Sequence, residues 1–230
     1  ASVAQAVSEL SSTGLSADGI AADVSRPADI KRLMDFAIKT CGGLDVWINN
    51  AGLSGGYRTI QAIPPEEIKE VIDVNLLGTF NACRLLIPYF REQGGIIINL
   101  GGRGGRGKPA AYQSPYAATK AAVVSLTRSL AAENKGYPVS INCLMPGMVD
   151  TDIFKNVAAC PETENQLVML PVLLRAFASP MPDVQKLAVR LCAQRPGQHT
   201  GKCYSAEKWT RYLRALMAAP DFIRAVRQIR

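Results

Sequence analysis

Three short apolar runs, Leu44 to Asn49, Gly95 to Leu100 and Val139 to Leu144, constrain this chain more than any other feature. Each is too short for an ordinary helix and carries apolar residues in a nearly continuous run rather than at alternate positions. That is the pattern of strands buried on both faces, which belongs to parallel sheets. Parallel neighbours need long crossovers, and the intervening segments read as helices. One covers Pro27 to Thr40, one is opened by Pro65 and runs past Asn75, another covers Phe80 to Arg91, and a long one runs from Pro115 to Glu133. Ala4 to Leu10 reads as the end of a helix, Gly19 to Val24 as a short strand closing on Asp23, and Gly201 to Tyr204 as a short last strand. The alternation predicts βαβ units with right-handed crossovers, hence an α/β fold with a doubly wound parallel sheet. On this reading the chain begins mid-unit, and a first βα unit is expected upstream of Ala1.

The 230 residues, 48% of them hydrophobic, suit one domain over 1–230, with 153–182 covering the substrate and 207–230 forming a helical tail. The net charge of +7 comes from scattered basic residues without interleaved aromatics, which argues against nucleic acid as a partner. Apolar stretches are broken by Arg, Lys or Pro before membrane-spanning length, and no signal-peptide pattern opens the chain, so a cytoplasmic location is expected. Six cysteines without a C-x-x-C pair read as free thiols rather than a disulfide framework or a zinc site. His199 is the only histidine, which excludes Ser-His-Asp and Cys-His nucleophile systems and most imidazole metal sites.

In a sheet of this kind ligands bind beyond the carboxyl ends of the strands, where the segments Asn49 to Gly52, Gly101 to Gly107 and Pro146 to Thr151 should converge. Tyr116 and Lys120 lie four residues apart on the helix that follows the glycine-rich loop, so they share a face. A phenol exchanges protons poorly at neutral pH unless a nearby cation stabilises its phenolate, and this spacing offers one. Tyr204 and Lys208 repeat the spacing. No glycine loop precedes that second pair, and it reads as structural, at the start of the tail helix.

Asn49-Asn50-Ala51-Gly52 after a buried strand, Asn75 in Val74-Asn75-Leu76-Leu77-Gly78, Tyr116-Ala117-Ala118-Thr119-Lys120 and Pro146-Gly147-Met148-Val149-Asp150-Thr151 together resemble, in order, the motifs of the short-chain dehydrogenases/reductases. The resemblance implies NADP or NAD as cofactor. It implies that Tyr116 exchanges the proton with the substrate oxygen, that Lys120 lowers the Tyr116 pKa and binds the nicotinamide ribose, and that Asn75 positions a water. It places Asp23 and Val24 at the adenine, Asn50, Ala51 and Gly52 along the cofactor cleft, and Pro146, Gly147, Val149 and Thr151 at the carboxamide. A homodimer or homotetramer formed through Phe80 to Arg91 and Pro115 to Glu133 is likewise implied.

Two departures stand out. The glycine-rich turn that cradles a pyrophosphate lies outside the sequence, and Gly102 stands where the family places a serine after the strand. Ser114, or backbone N–H groups of the glycine loop, would then hold the reacting oxygen. The glycine loop and the tail around Tyr212 to Arg224 are similar to the chlorophyll b reductase branch, which reduces a formyl group on a bulky planar substrate with NADPH. Arg103, Arg106 and Lys108 would meet an anionic substrate group or only water, and Leu167 to Leu174 reads as an apolar lid or a packed helix. The tail, with Trp209, Leu213 and Leu216 at helical spacing, is expected to dock on the protein or a partner subunit, with weak membrane-surface binding as the alternative. Two functions fit: a carbonyl reductase or alcohol dehydrogenase acting on a bulky hydrophobic substrate, and a non-catalytic dinucleotide-binding or regulatory protein on the same fold.

Overall fold

The computed structural model describes residues 2–151, 153 and 157–207. Its centre is a four-stranded sheet of order β1 (Val46–Asn49), β2 (Gly95–Leu100), β3 (Val139–Met145), β4 (Cys203–Ser205). All pairings are parallel, with Ile97 beside Trp47 and Ile141, and Cys143 beside Cys203. The two central strands are buried almost throughout, as their continuous apolar runs require. Side chains alternate across the sheet. Ile97 and Ile141 face Ile30, Leu86 and Phe90, whereas Ile96, Ile98 and Leu144 face Leu187 and Leu191. The first layer is supplied by α2 (Pro27–Cys41), α4 (Gly78–Gln93) and α5 (Ser114–Glu133), the second by α8 (Met181–Cys192). Ahead of them lies α1 (Val3–Ser12), and α6 (Glu164–Val168) with α7 (Leu170–Phe177) fills the connection before α8.

The segment Gly19 to Val24 is not a strand. It runs outside any ladder, and two of its backbone groups meet side chains of α2: Asp29 accepts from the Asp23 N–H at 2.9 Å, and Arg32 donates to the Ala21 carbonyl at 2.7 Å. The helices expected as separate at Pro65 and Phe80 form one continuous element. It comprises α3 (Pro65–Ile72), a π-helical turn over Asp73–Leu77, and α4. Gly78 sits inside it because a Cβ there would come within 3.0 Å of the Val24 carbonyl. This element, Pro65–Gln93, is long and apolar enough by composition to cross a membrane, with mean hydropathy 1.2 over its most apolar window. That window is 44% buried, and Ala82, Leu86 and Phe90 pack it onto the sheet as a core helix.

Polar side chains cross the core where strands and helices meet. Asn49 donates to Asn99 (2.8 Å), which donates to Thr127 of α5 (3.0 Å). Asn142 of β3 donates to the His199 carbonyl (2.8 Å) and accepts from Lys202 N–H (3.0 Å), which fixes the approach to β4. The tail expected from Glu207 to Arg230 lies outside the described residues beyond Glu207 itself. Tyr204 belongs to β4, so its spacing from Lys208 does not begin on a helix as expected.

Candidate active site

The loops leaving β1, β2 and β3 end on one side of the sheet, with the start of α5 among them. Asn75 sits in the π turn, only 1% exposed. Its Oδ1 accepts from the Leu53 N–H at 2.8 Å, and its Nδ2 donates to the Leu53 carbonyl at 2.9 Å and to Thr119 Oγ1 at 3.2 Å. The side chain thus clamps the backbone that follows β1 onto α5. This accounts for the wide turn, which lets a polar side chain reach a strand end from inside a core helix.

Lys120 is 5% exposed, and its Nζ donates to the Leu100 carbonyl at 2.9 Å. Burial lowers its pKa to about 8, with the neighbouring Cys143 acting in the opposite direction. Its Nζ stands 5.7 Å from the centre of the Tyr116 ring. Burial raises the Tyr116 pKa above the usual tyrosine value. Desolvation is the cause acting on the phenol, and the Lys120 ammonium is turned toward the end of β2.

Gly102 explains the departure at the serine position. A Cβ at this residue would lie 2.5 Å from Tyr116 Oη and 3.1 Å from Lys120 Cγ. The phenol fills the space a side chain would need, and only glycine leaves it there. The N–H groups of Gly101, Gly105 and Gly107 are spent on the carbonyls of Leu144, Gly102 and Gly104. Those of Gly102, Arg103 and Gly104 have no acceptor among the described residues. Ser114 is exposed at the first position of α5. Two residues along a helix turn the chain by about 200°, so Ser114 and Tyr116 do not share a face.

Asn50 and Ala51 are exposed beside Gly52, whose bare Cα faces the same crevice: a Cβ there would be 3.2 Å from Asn75 Oδ1 and 3.6 Å from Lys120 Nζ. One Lys120 donor is used, which leaves two N–H groups for the hydroxyls of a ribose. These residues fit the nicotinamide-ribose half of a dinucleotide. Asp23 accepts from the Ser25 N–H (2.9 Å) and Oγ (2.7 Å), which hold its carboxyl below the usual range, and it borders a groove of about 290 Å³ with Asp73 and Val74. Val24 packs against Gly78, one turn from Asn75.

After β3, Gly147 has φ +77°, and a Cβ would meet Ser179 Oγ at 2.8 Å, so Pro146-Gly147 makes a turn open only to glycine. Thr151 Oγ1 donates to the Val149 carbonyl at 3.4 Å. Val149 and Asp150 then border a cavity of about 810 Å³ whose apolar wall includes Leu167, Leu170, Leu174 and Met181. The segment read as a lid is therefore α6 and α7 forming one side of this cavity. Nothing in the spacing points to Thr119 as the link between Asn75 and α5, nor to Gln113, a 7% exposed residue at the N-cap position of α5.

Fold and site together define a nucleotide-binding oxidoreductase architecture, with a tyrosine and a lysine at the carboxyl end of a parallel sheet. The short chain dehydrogenase family model matches residues 1–161, and the chain belongs to that family. Chlorophyll(ide) b reductase NOL of Oryza sativa subsp. japonica is 40% identical over 64% of this chain and 44% of its own length. L-fucose dehydrogenase of Oryctolagus cuniculus is 36% identical over 61% of the chain and 49% of its own length. The chain thus spans about half the length of these two relatives. For 3beta-hydroxysteroid dehydrogenase 1 of Eggerthella lenta the identity is 33%, over 86% of the chain and 75% of that protein. Among solved structures, a 3-ketoacyl-(acyl-carrier-protein) reductase from Brucella melitensis complexed with NADH superposes with TM-score 0.69 at 27% identity, over 81% of this chain and 75% of that one.

Proposed function

We propose that this protein interconverts a carbonyl group, aldehyde or ketone, and the corresponding alcohol with a nicotinamide dinucleotide, and that NADP is the preferred form. The observation that carries this reading is the Tyr116 hydroxyl set against bare Gly102, with the buried Lys120 one helical turn away. Tyr116 stays protonated across the neutral range because burial raises its pKa, so it is ready to donate to a carbonyl oxygen that is becoming an alkoxide. The Gly102 N–H, lacking an internal acceptor, serves as a second donor to that oxygen in place of a serine. Lys120 holds the ribose hydroxyls and keeps a positive charge near the phenol, while Asn75 positions Leu53 and α5 rather than reacting itself. Bound here, the dinucleotide supplies or accepts the hydride. Asp23, Val24, Asn50, Ala51, Gly52, Pro146, Gly147, Val149 and Thr151 are the residues that would hold it.

A bulky hydrophobic substrate is supported by the apolar cavity of about 810 Å³, which is bordered by Val149 and Asp150 and not by Tyr116 or Gly102. The exposed Leu77 and Phe80 of the π turn and α4, with the small outward residues Ala118 and Ser125 of α5, support a homo-oligomer built through these helices. The test is oxidation of NADPH or NADH by the full-length protein in the presence of a panel of aldehydes and ketones. Turnover of at least one class is expected. Tight dinucleotide binding with no turnover of any of them would replace this reading with a binding or regulatory role.

A further inference from the structure

Arg103 directly follows Gly102, the residue that touches the Tyr116 hydroxyl. Its Nη1 donates to Tyr57 Oη at 3.1 Å and to Gln113 Oε1 at 3.4 Å. Both acceptors are neutral. Other arginines nearby are paired with carboxylates, Arg58 with Glu67 and Arg106 with Glu207 at 3.5 Å, whereas Arg103 meets none among the described residues. A guanidinium keeps its charge at every accessible pH and presents five donors in a fixed fork. Among the described residues only its Nη1 is engaged.

The two acceptors are themselves anchored. Gln113 is 7% exposed and occupies the N-cap position of α5, three residues before Tyr116, where its carbonyl accepts from the Ala117 N–H at 2.9 Å. Tyr57 is tied to the loop after β3 by its N–H to the Ala158 carbonyl at 2.7 Å, and its ring leans on Tyr112 with centres 5.8 Å apart. Arg103 is itself exposed, so its fork is open to a ligand while its Nη1 is held at two points. The fixed charge also adds to the positive end of the long helix α5.

We propose that Arg103 is a specificity-determining residue that binds a carboxylate on the substrate, so that the preferred substrates are carbonyl compounds also carrying a carboxylate. Carboxylate and guanidinium match as a two-pronged pair, and the free Nη2 and Nε offer that fork. The inference rests on the carbonyl–alcohol activity proposed above, and its test is chosen to separate the two.

The probes are 4-formylbenzoate and its methyl ester, with the same aldehyde and ring but only one of them charged. With NADPH, Arg103→Gln should lower kcat/KM for 4-formylbenzoate by about 10- to 100-fold, the value of losing a charged hydrogen-bonded contact, and leave the ester within a few fold. Arg103→Lys should recover part of the loss. Calorimetric titration of the wild type with 4-(hydroxymethyl)benzoate, the alcohol product, should show binding that weakens with salt and is lost in Arg103→Gln. Equal losses for acid and ester, or a loss confined to cofactor affinity, would overturn the assignment. If neither aldehyde is reduced, the panel of aldehydes and ketones decides the activity reading, while the titration still decides whether Arg103 takes a carboxylate.

Discussion

Replacing Gly102 by alanine or serine tests the geometry of the site most sharply. The added Cβ would fall 2.5 Å from Tyr116 Oη, whereas ordinary contact begins at 3.4 Å, so phenol and loop must separate by about 0.9 Å. Lys120 Cγ at 3.1 Å narrows the room for that movement. Crowding a packed site in this way costs about 1 to 3 kcal/mol. A displacement of about 1 Å at a reacting group costs on the order of 10²-fold in rate. Gly102→Ala and Gly102→Ser are therefore expected to lower kcat for aldehyde reduction by about 10²-fold and to lower the unfolding midpoint in urea. The assay is NADPH oxidation under saturating aldehyde, with circular dichroism to show that the fold persists. If Gly102→Ser instead raised kcat by 10²-fold or more with unchanged KM, a missing oxyanion donor would be the right description, and the crowding argument would be refuted.

Reductive turnover should fall as pH rises through about 8, because Lys120 then loses the charge that supports Tyr116. Because the folded pKa of Lys120, about 8, lies below its unfolded value of 10.5, the unfolded chain binds more protons between these values. Folding stability should accordingly rise with pH across that window, by on the order of 3 kcal/mol at most. Urea unfolding of Lys120→Met should lack that rise. Asn75→Ala removes the partners of the Leu53 N–H and carbonyl, and should cost about 2 kcal/mol in the same measurement as well as most of the activity. Phe80→Glu, at a position 44% exposed on α4, should shift the protein toward monomer in light scattering without unfolding it.

The central strands were legible because β2 and β3 are buried on both faces and therefore read as unbroken apolar runs. Gly19 to Val24 carries similar residues, but a strand exists only beside another, and here the segment pairs with none, while Asp29 and Arg32 hold the Asp23 N–H and the Ala21 carbonyl. The π turn has no local signature. It arises from a tertiary need, the reach of Asn75 to Leu53, and Gly78 serves close packing on Val24 within the continuous helix. Tyr116 and Lys120 were visible through helical spacing. Ser114, two residues before Tyr116, lies on another face of α5, since nearness in sequence is not a shared helix face. The balance of burial against charge at Tyr116 depends on three-dimensional desolvation, which spacing does not encode. Nor does spacing reveal the mount of Arg103, assembled from Tyr57 and Gln113 at separations of 46 and 10 residues.

The most direct measurement of the central claim is NADPH-dependent aldehyde turnover by Tyr116→Phe beside Tyr204→Phe in the full-length protein. Dinucleotide binding to each should be followed by fluorescence titration. Removing the proton donor should lower turnover by about 10² to 10⁴-fold in Tyr116→Phe while dinucleotide affinity stays within a few fold. Tyr204→Phe, in β4, should behave as the wild type. Wild-type turnover in Tyr116→Phe, or equal losses in the two variants, would contradict the assignment of Tyr116 as the group that exchanges the proton with substrate.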